Sequence, residues 1–168
     1  MIHIYTGNGK GKTTAALGLA LRALGWGKRV RVAQFLKQCT TGELKGLAQF
    51  KDCEIRQFGG EEFVTGETAG AIDRQRAEEG FIWAEETIRE RAVDLLILDE
   101  INVALDLNLL DLDRVRSLIE CCPPEIELVL TGRDAPPGII MLADYVSEIK
   151  EIKHPYRNGV IARKGVEY

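Results

Sequence analysis

Apolar and polar positions along the chain switch between two periods. Short apolar runs at 2–6, 29–35, 54–58, 94–99, 126–131 and 145–149 read as strands, and helical spacing occupies 12–24, 43–50, 73–91, 111–120 and 137–143. Leu95-Leu96-Ile97-Leu98 and Leu128-Val129-Leu130 are apolar without interruption, as a strand must be when both faces of a parallel sheet are covered. Regular strand–helix alternation predicts an α/β fold with a doubly wound, mostly parallel sheet. The first helix is sharply bounded, opened by Thr13-Thr14 and closed by Gly25-Trp26-Gly27. Without an internal repeat, low-complexity tract or linker, the 168 residues predict a single domain spanning 1–168, burying roughly 70% of its unfolded-chain surface.

In such folds ligands gather at the carboxyl ends of the strands. The first strand runs into Gly7-Asn8-Gly9-Lys10-Gly11-Lys12-Thr13-Thr14, a glycine-rich turn that opens a helix. Successive backbone N–H groups and the positive end of the helix dipole suit a phosphate chain there. Lys12 is placed to reach the outer phosphates, and the Thr13 hydroxyl to complete a Mg²⁺ shell. The usual spacing of a phosphate loop calls for glycine where Thr6 stands, and counting from Gly7 leaves the loop one residue short. A loop altered in this way is expected to hold a triphosphate in an unusual pose.

Gln34, Phe35 and Lys37 follow the second strand, Asp99-Glu100 the fourth, Thr131-Gly132-Arg133 the fifth, and Lys150, Lys153 and His154 the last. Acidic and basic groups therefore converge on one rim. An apolar strand ending in Asp99 and Glu100 suits a second nucleotide-binding motif, with one carboxylate on Mg²⁺ and its neighbour orienting a substrate group. The spacing leaves open which is which. Arg133 reads either as a phosphate contact or as a solvated turn arginine. Arg22, on the first helix, reads first as a surface ion-pair residue, and His154 as structural. No Ser/His/Asp spacing, Cys/His pair or zinc set is present. Such a site works mainly by holding reactants in line, which supplies an effective molarity of ~10⁵ M or more.

Composition narrows the picture further. The net charge of −4 hides an asymmetry: seven bases and no acid precede Glu43, which fits a small polyanionic ligand. Among them Lys28, Arg29 and Arg31 read as a solvated face. The acidic balance, with no basic helix or aromatic-basic interleave, argues against nucleic acid as partner. Apolar runs are too short to span a bilayer, and the chain starts directly on a strand, so a cytoplasmic location without a leader is expected. Cys39, Cys53, Cys121 and Cys122 lack metal spacing and read as reduced thiols.

These residues resemble the P-loop-type ATP:corrinoid adenosyltransferases over nearly the whole chain. The likeness rests on Tyr5-Thr6-Gly7-Asn8-Gly9-Lys10-Gly11-Lys12-Thr13-Thr14, Arg22-Ala23-Leu24-Gly25, Gln34-Phe35-Leu36-Lys37, Leu98-Asp99-Glu100-Ile101-Asn102, Thr131-Gly132-Arg133, Leu142-Ala143-Asp144, Ile152-Lys153-His154-Pro155 and the closing Ala162 to Tyr168. It implies a RecA-like homodimer in which Co(I) of a reduced corrinoid attacks C5′ of ATP and triphosphate leaves. The nucleotide would lie reversed in the loop, which accounts for the altered spacing. By carry-over, Gly7, Asn8, Gly9, Lys10, Gly11, Lys12, Thr13 and Thr14 hold the triphosphate, Lys12 and Glu100 act in catalysis, and Thr13 with Glu100, or Asp99, binds Mg²⁺. Arg22, Lys37 and Arg133 are further nucleotide contacts, and Phe63 in the 59–68 loop packs beneath the corrinoid ring. An electron donor such as a flavoprotein is implied as partner. An N-terminal extension that caps the corrinoid in relatives is expected to be missing. Two other readings fit the same residues: an ATPase or phosphotransferase of this fold, and a non-catalytic carrier of the finished adenosylcorrinoid.

Overall fold

In the computed structural model, which describes residues 1–60, 64–66 and 68–168 (Arg157 by its backbone alone), the six apolar runs build one parallel sheet. They are β1 (Ile2–Thr6), β2 (Val30–Phe35), β3 (Cys53–Phe58), β4 (Leu95–Asp99), β5 (Glu127–Thr131) and β6 (Tyr145–Glu148), in spatial order β3-β2-β4-β5-β1-β6. The connections carry α1 (Lys12–Gly25), α2 (Gly42–Leu47), α3 (Ala71–Arg89), α4 (Ile101–Asp106), α5 (Leu112–Glu120) and α6 (Pro137–Ile140), and a 3₁₀ turn spans Pro155–Asn158. Among the described residues no helix is long and apolar enough to cross a membrane.

Strand parity divides the core in two. Val30, Val32, Leu95, Ile97 and Val129 face α1, whose Ala16, Leu17, Ala20 and Leu24 pack against them. Spacings of three and four place those four side chains on one stripe. Alanine at 16 and 20 lets the helix lie close to the sheet, and burying Leu17 and Leu24 stabilises the contact by roughly 1.5–3 kcal/mol each. The alternate positions Ala33, Phe35, Leu96, Leu98, Leu128 and Leu130 face the other layer, where Ala77, Phe81, Ala84 and Ile88 of α3 meet them with α4 and α5.

Parity also decides what the strands present at their carboxyl ends. Gln34 pairs in register with Asp99, and Thr131 comes one step beyond the Leu98–Leu130 pair. All three fall on the α1 face, so a polar row closes the apolar layer beneath the start of α1.

The sheet and its layers are as the hydrophobic pattern predicts, but several elements differ. Residues 101–106 form α4, which was not expected. Its six residues are too few to show a period, and its apolar positions run straight on from the strand. The helix expected over 137–143 is a single turn, stopped at Ile140. Helix bounds elsewhere shift by a few residues, to Gly42–Leu47 and Ala71–Arg89. Arg31 is not a solvated residue. Its guanidinium pairs with Glu54 at 2.9 Å, donates to Thr87 Oγ1 at 3.0 Å and lies over the Trp83 ring. Arg29 instead ties the strand ends together through Asp94.

Candidate active site

The glycine loop is pressed against the carboxyl end of β6. Gly9 donates its N–H to Ile149 O at 2.7 Å, and a side chain at Gly7 would stand 2.6 Å from that same oxygen. Gly7 also has φ +95°, in the left-handed region that favours glycine. This packing is a reason for glycine that the phosphate argument alone does not supply. Beyond the loop, the first turn of α1 carries no acid and no capping side chain. Its early N–H groups are thus left for an anion, as suits phosphate at a helix of this length. Lys12 is buried and curls into the loop, donating to Gly7 O at 2.6 Å and Gly9 O at 2.9 Å. Burial pulls its pKa below the ordinary lysine value, against the opposing pull of Glu100 and Asp99.

Behind the loop stands the polar row. The fully buried Asp99 accepts four hydrogen bonds. Thr13 Oγ1 and Thr131 Oγ1 donate to Oδ1 at 2.9 and 2.6 Å, and Gln34 Nε2 and Lys37 Nζ to Oδ2 at 3.1 and 2.9 Å. Gln57 in turn donates to Gln34 Oε1 at 3.0 Å and to Cys39 O at 3.0 Å. Every lone-pair direction of the carboxylate is filled, so Asp99 is a fixed anchor.

Glu100 is different. It adopts a left-handed conformation at φ +64° with its N–H donated to Thr131 Oγ1 at 3.0 Å. This turn swings its carboxylate out of the sheet toward the cleft. Burial, followed by the charge of Asp99, raises its pKa above the ordinary carboxylate range. Burial alone would lower the pKa of Lys37, but Asp99 and Glu100 reverse the effect and hold it above the usual lysine value. Leu36 and Asp134 are also left-handed, at φ +59° and +51°. β2, β4 and β5 are therefore each followed by a strained, non-glycine residue beside this site, the kind of strain that persists where surrounding structure enforces it.

The loop and the polar row open into one cleft of about 1280 Å³. Pockets for single small molecules run to roughly 300–1,000 Å³, and this cleft lies above that range. One wall is apolar, with Leu17 and Leu21 of α1, Leu36, Leu47 and Phe50 around α2, and Val64 and Val103. The C-terminal residues 165–168 close another side. Lys10 is turned toward them, donating to Val166 O at 3.2 Å and to Glu167 at 3.1 Å.

The structure thus gathers Asn8 to Thr14, Lys37, Glu100 and Arg133 around one space, with Asp99 beneath it. Arg133 is exposed at the rim, and its charge acts on both Lys12 and Glu100. His154 lines the cleft, where its Nδ1 accepts the Tyr156 N–H at 3.2 Å. Arg22 is exposed on α1 outside the cleft lining, and its charge acts on the Tyr5 phenol. Phe63 lies outside the described residues. Thr131 and Gln34 are the partners whose roles the motifs did not disclose. Alternation of two along β2, β4 and β5 is the signal that finds them. Thr13, Asp99 and Glu100 offer hard oxygen donors of the kind Mg²⁺ takes. The Lys37 ammonium already stands among them, 2.9 Å from Asp99 and 3.8 Å from Glu100, which marks the place as one built for positive charge.

The model of the family ATP:corrinoid adenosyltransferase BtuR/CobO/CobP matches residues 1–168. A corrinoid adenosyltransferase of Pseudomonas aeruginosa is 41% identical over 170 residues, covering 98% of this chain and 82% of that protein. One from a Sinorhizobium species is 40% identical, covering all of this chain and 80% of its own length. The corrinoid adenosyltransferase of Escherichia coli K12 is 34% identical across the full chain and 85% of its own.

Proposed function

The chain belongs to the ATP:corrinoid adenosyltransferase BtuR/CobO/CobP family, and from that premise we propose how its site transfers the 5′-deoxyadenosyl group of ATP to a reduced corrinoid. The observation that carries the reading is the shared cleft. The glycine loop and the apolar wall line one continuous space, so a nucleotide on the loop lies beside an apolar surface that a corrinoid can approach. The triphosphate lies on the loop amides and the first turn of α1, reversed relative to ordinary ATPases, with C5′ turned toward the apolar wall. Co(I) attacks C5′, the C5′–O bond breaks, and its electron pair leaves with inorganic triphosphate as the cobalt–carbon bond forms.

Cobalt(I) is nucleophilic enough to need no protein base, which agrees with this site. Asp99 has all its lone pairs engaged and Glu100 is held beside Lys37. What the residues supply is position and charge. Lys12 moves from the loop carbonyls to the leaving phosphates, and Arg133 approaches them from the rim. Asp99 orients the Thr13 hydroxyl, and Thr13 with Glu100 would hold Mg²⁺, which would supply positive charge toward the departing triphosphate. A homodimer, an electron donor such as a flavoprotein and a cytoplasmic location belong to the same reading, supported by family likeness.

Product analysis tests it. With ATP, Mg²⁺ and chemically reduced cobalamin, the protein should yield a light-sensitive organocobalt product and an equal amount of triphosphate. Release of ADP and phosphate irrespective of corrinoid would overturn the reading.

A further inference from the structure

The geometry points to Lys37 as a built-in placeholder cation that occupies the divalent-metal position until the nucleotide arrives, so that metal and triphosphate load together. This rests on the metal site proposed above. Lys37 Nζ lies 2.9 Å from Asp99 Oδ2, 3.4 Å from Thr13 Oγ1 and 3.8 Å from Glu100 Oε1. Thr13 and Glu100 are the two groups that the reading gives to Mg²⁺, and Asp99 is the carboxylate directly behind them. A divalent ion bound to Thr13 and Glu100 sits about 2.0–2.1 Å from each oxygen. An ion that also faces Asp99 would stand beside the ammonium, and the two positive charges would repel one another.

Only Lys37 can give way. Gln34, Thr131 and Thr13 are the other donors to Asp99. The first two are fully buried on strands, and Thr13 is fixed in the first turn of α1. Lys37 follows the left-handed Leu36, beyond the end of β2, and its side chain lines the same cleft as the loop. An arriving triphosphate offers the ammonium a new anionic partner there, and its departure leaves an Asp99 lone pair and the Glu100 carboxylate to the metal. Metal alone offers the ammonium no such exchange. Affinity for the divalent ion should therefore be low without nucleotide and should rise when Lys37 is neutralised. By linkage, metal and nucleotide each strengthen the binding of the other.

Mn²⁺ serves as the probe, followed by electron paramagnetic resonance of the free ion and by thermal melting, with the full chain and no nucleotide. The wild type should bind Mn²⁺ weakly, and Mn²⁺ at a concentration that saturates the neutral variants should barely change its melting temperature. Lys37→Met, and Lys37→Gln as a second neutral variant, should bind at least tenfold more tightly and gain melting temperature with Mn²⁺. Adding Glu100→Gln to Lys37→Met should abolish the gain. The inference is overturned if neither neutral variant binds Mn²⁺ more tightly than the wild type. It is equally overturned if the same Mn²⁺ raises the melting temperature of the wild type as much as that of the neutral variants, or if the double variant keeps the gain. Adenosyl transfer by the wild type is scored separately: a failed Mn²⁺ result with organocobalt product still formed sinks the placeholder and leaves the proposed reaction standing.

Discussion

At the scale of single residues, charge is distributed so that one side chain is fixed and its neighbours are free to act. Asp99 is immobilised by four donors, whereas the Lys12 ammonium donates to two carbonyls of its own loop. In the proposed reaction, exchanging those carbonyls for phosphate oxygens would take Lys12 to the charge that grows on the leaving group. Lys12→Ala is expected to lower kcat by ~10²–10³, as removal of one preorganised donor does elsewhere, with the melting temperature little changed. Near-normal turnover would remove Lys12 from the mechanism. Lys12, Thr13 and Glu100 were legible as residues because motif spacing marks them. Thr131 and Gln34 were not assigned roles, because a lone hydroxyl or amide has no spacing of its own and acquires meaning only from strand register.

At the scale of elements, α1 joins the two halves of the cleft, since its first turn lines the glycine-loop end and its exposed side carries Leu21 and Gly18 into the lining beside Leu17. Gly18 sits in the helix interior with no atom within 4 Å of where a Cβ would stand. Gly18→Ala should therefore stabilise the protein by about 0.5–1 kcal/mol, a rise of roughly 1–4 °C in melting temperature. The added methyl also stands in the cleft, so the KM for corrinoid should rise. An unchanged KM would remove this face of α1 from the corrinoid wall. Element reading from sequence succeeded where periods are long, as in α1 and α3, and failed at α4. That helix begins only because Glu100 turns left-handed at the end of a strand, a backbone event that hydrophobic periodicity does not register.

At the scale of the whole molecule, the centre of the doubly wound sheet was the most readable part, because β4 and β5, covered on both faces, are almost continuously apolar. The cleft was not, since its far walls come from α2 and from residues 165–168, which only tertiary packing brings to the loop. The same packing grades the cysteines. Burial pushes the Cys122 thiol up to about 11 and raises Cys53, while Cys39 and Cys121 are exposed and all four are free. At pH 8 roughly one Cys122 in 10³ is thiolate, the reactive form. Brief alkylation followed by peptide mass mapping should label Cys39 and Cys121 first, and equal labelling of Cys122 would contradict its packing.

The central claim is that the bond broken lies at C5′ and the triphosphate leaves whole. ATP with a methylene group in place of the β,γ-bridging oxygen separates this from chemistry at the γ-phosphate. The account predicts that the analogue still adenosylates Co(I) corrinoid, releasing the methylene triphosphate intact, at a rate within about tenfold of ATP, or 1.4 kcal/mol. No cobalt–carbon product from the analogue, together with ADP and phosphate from ATP itself, would contradict it.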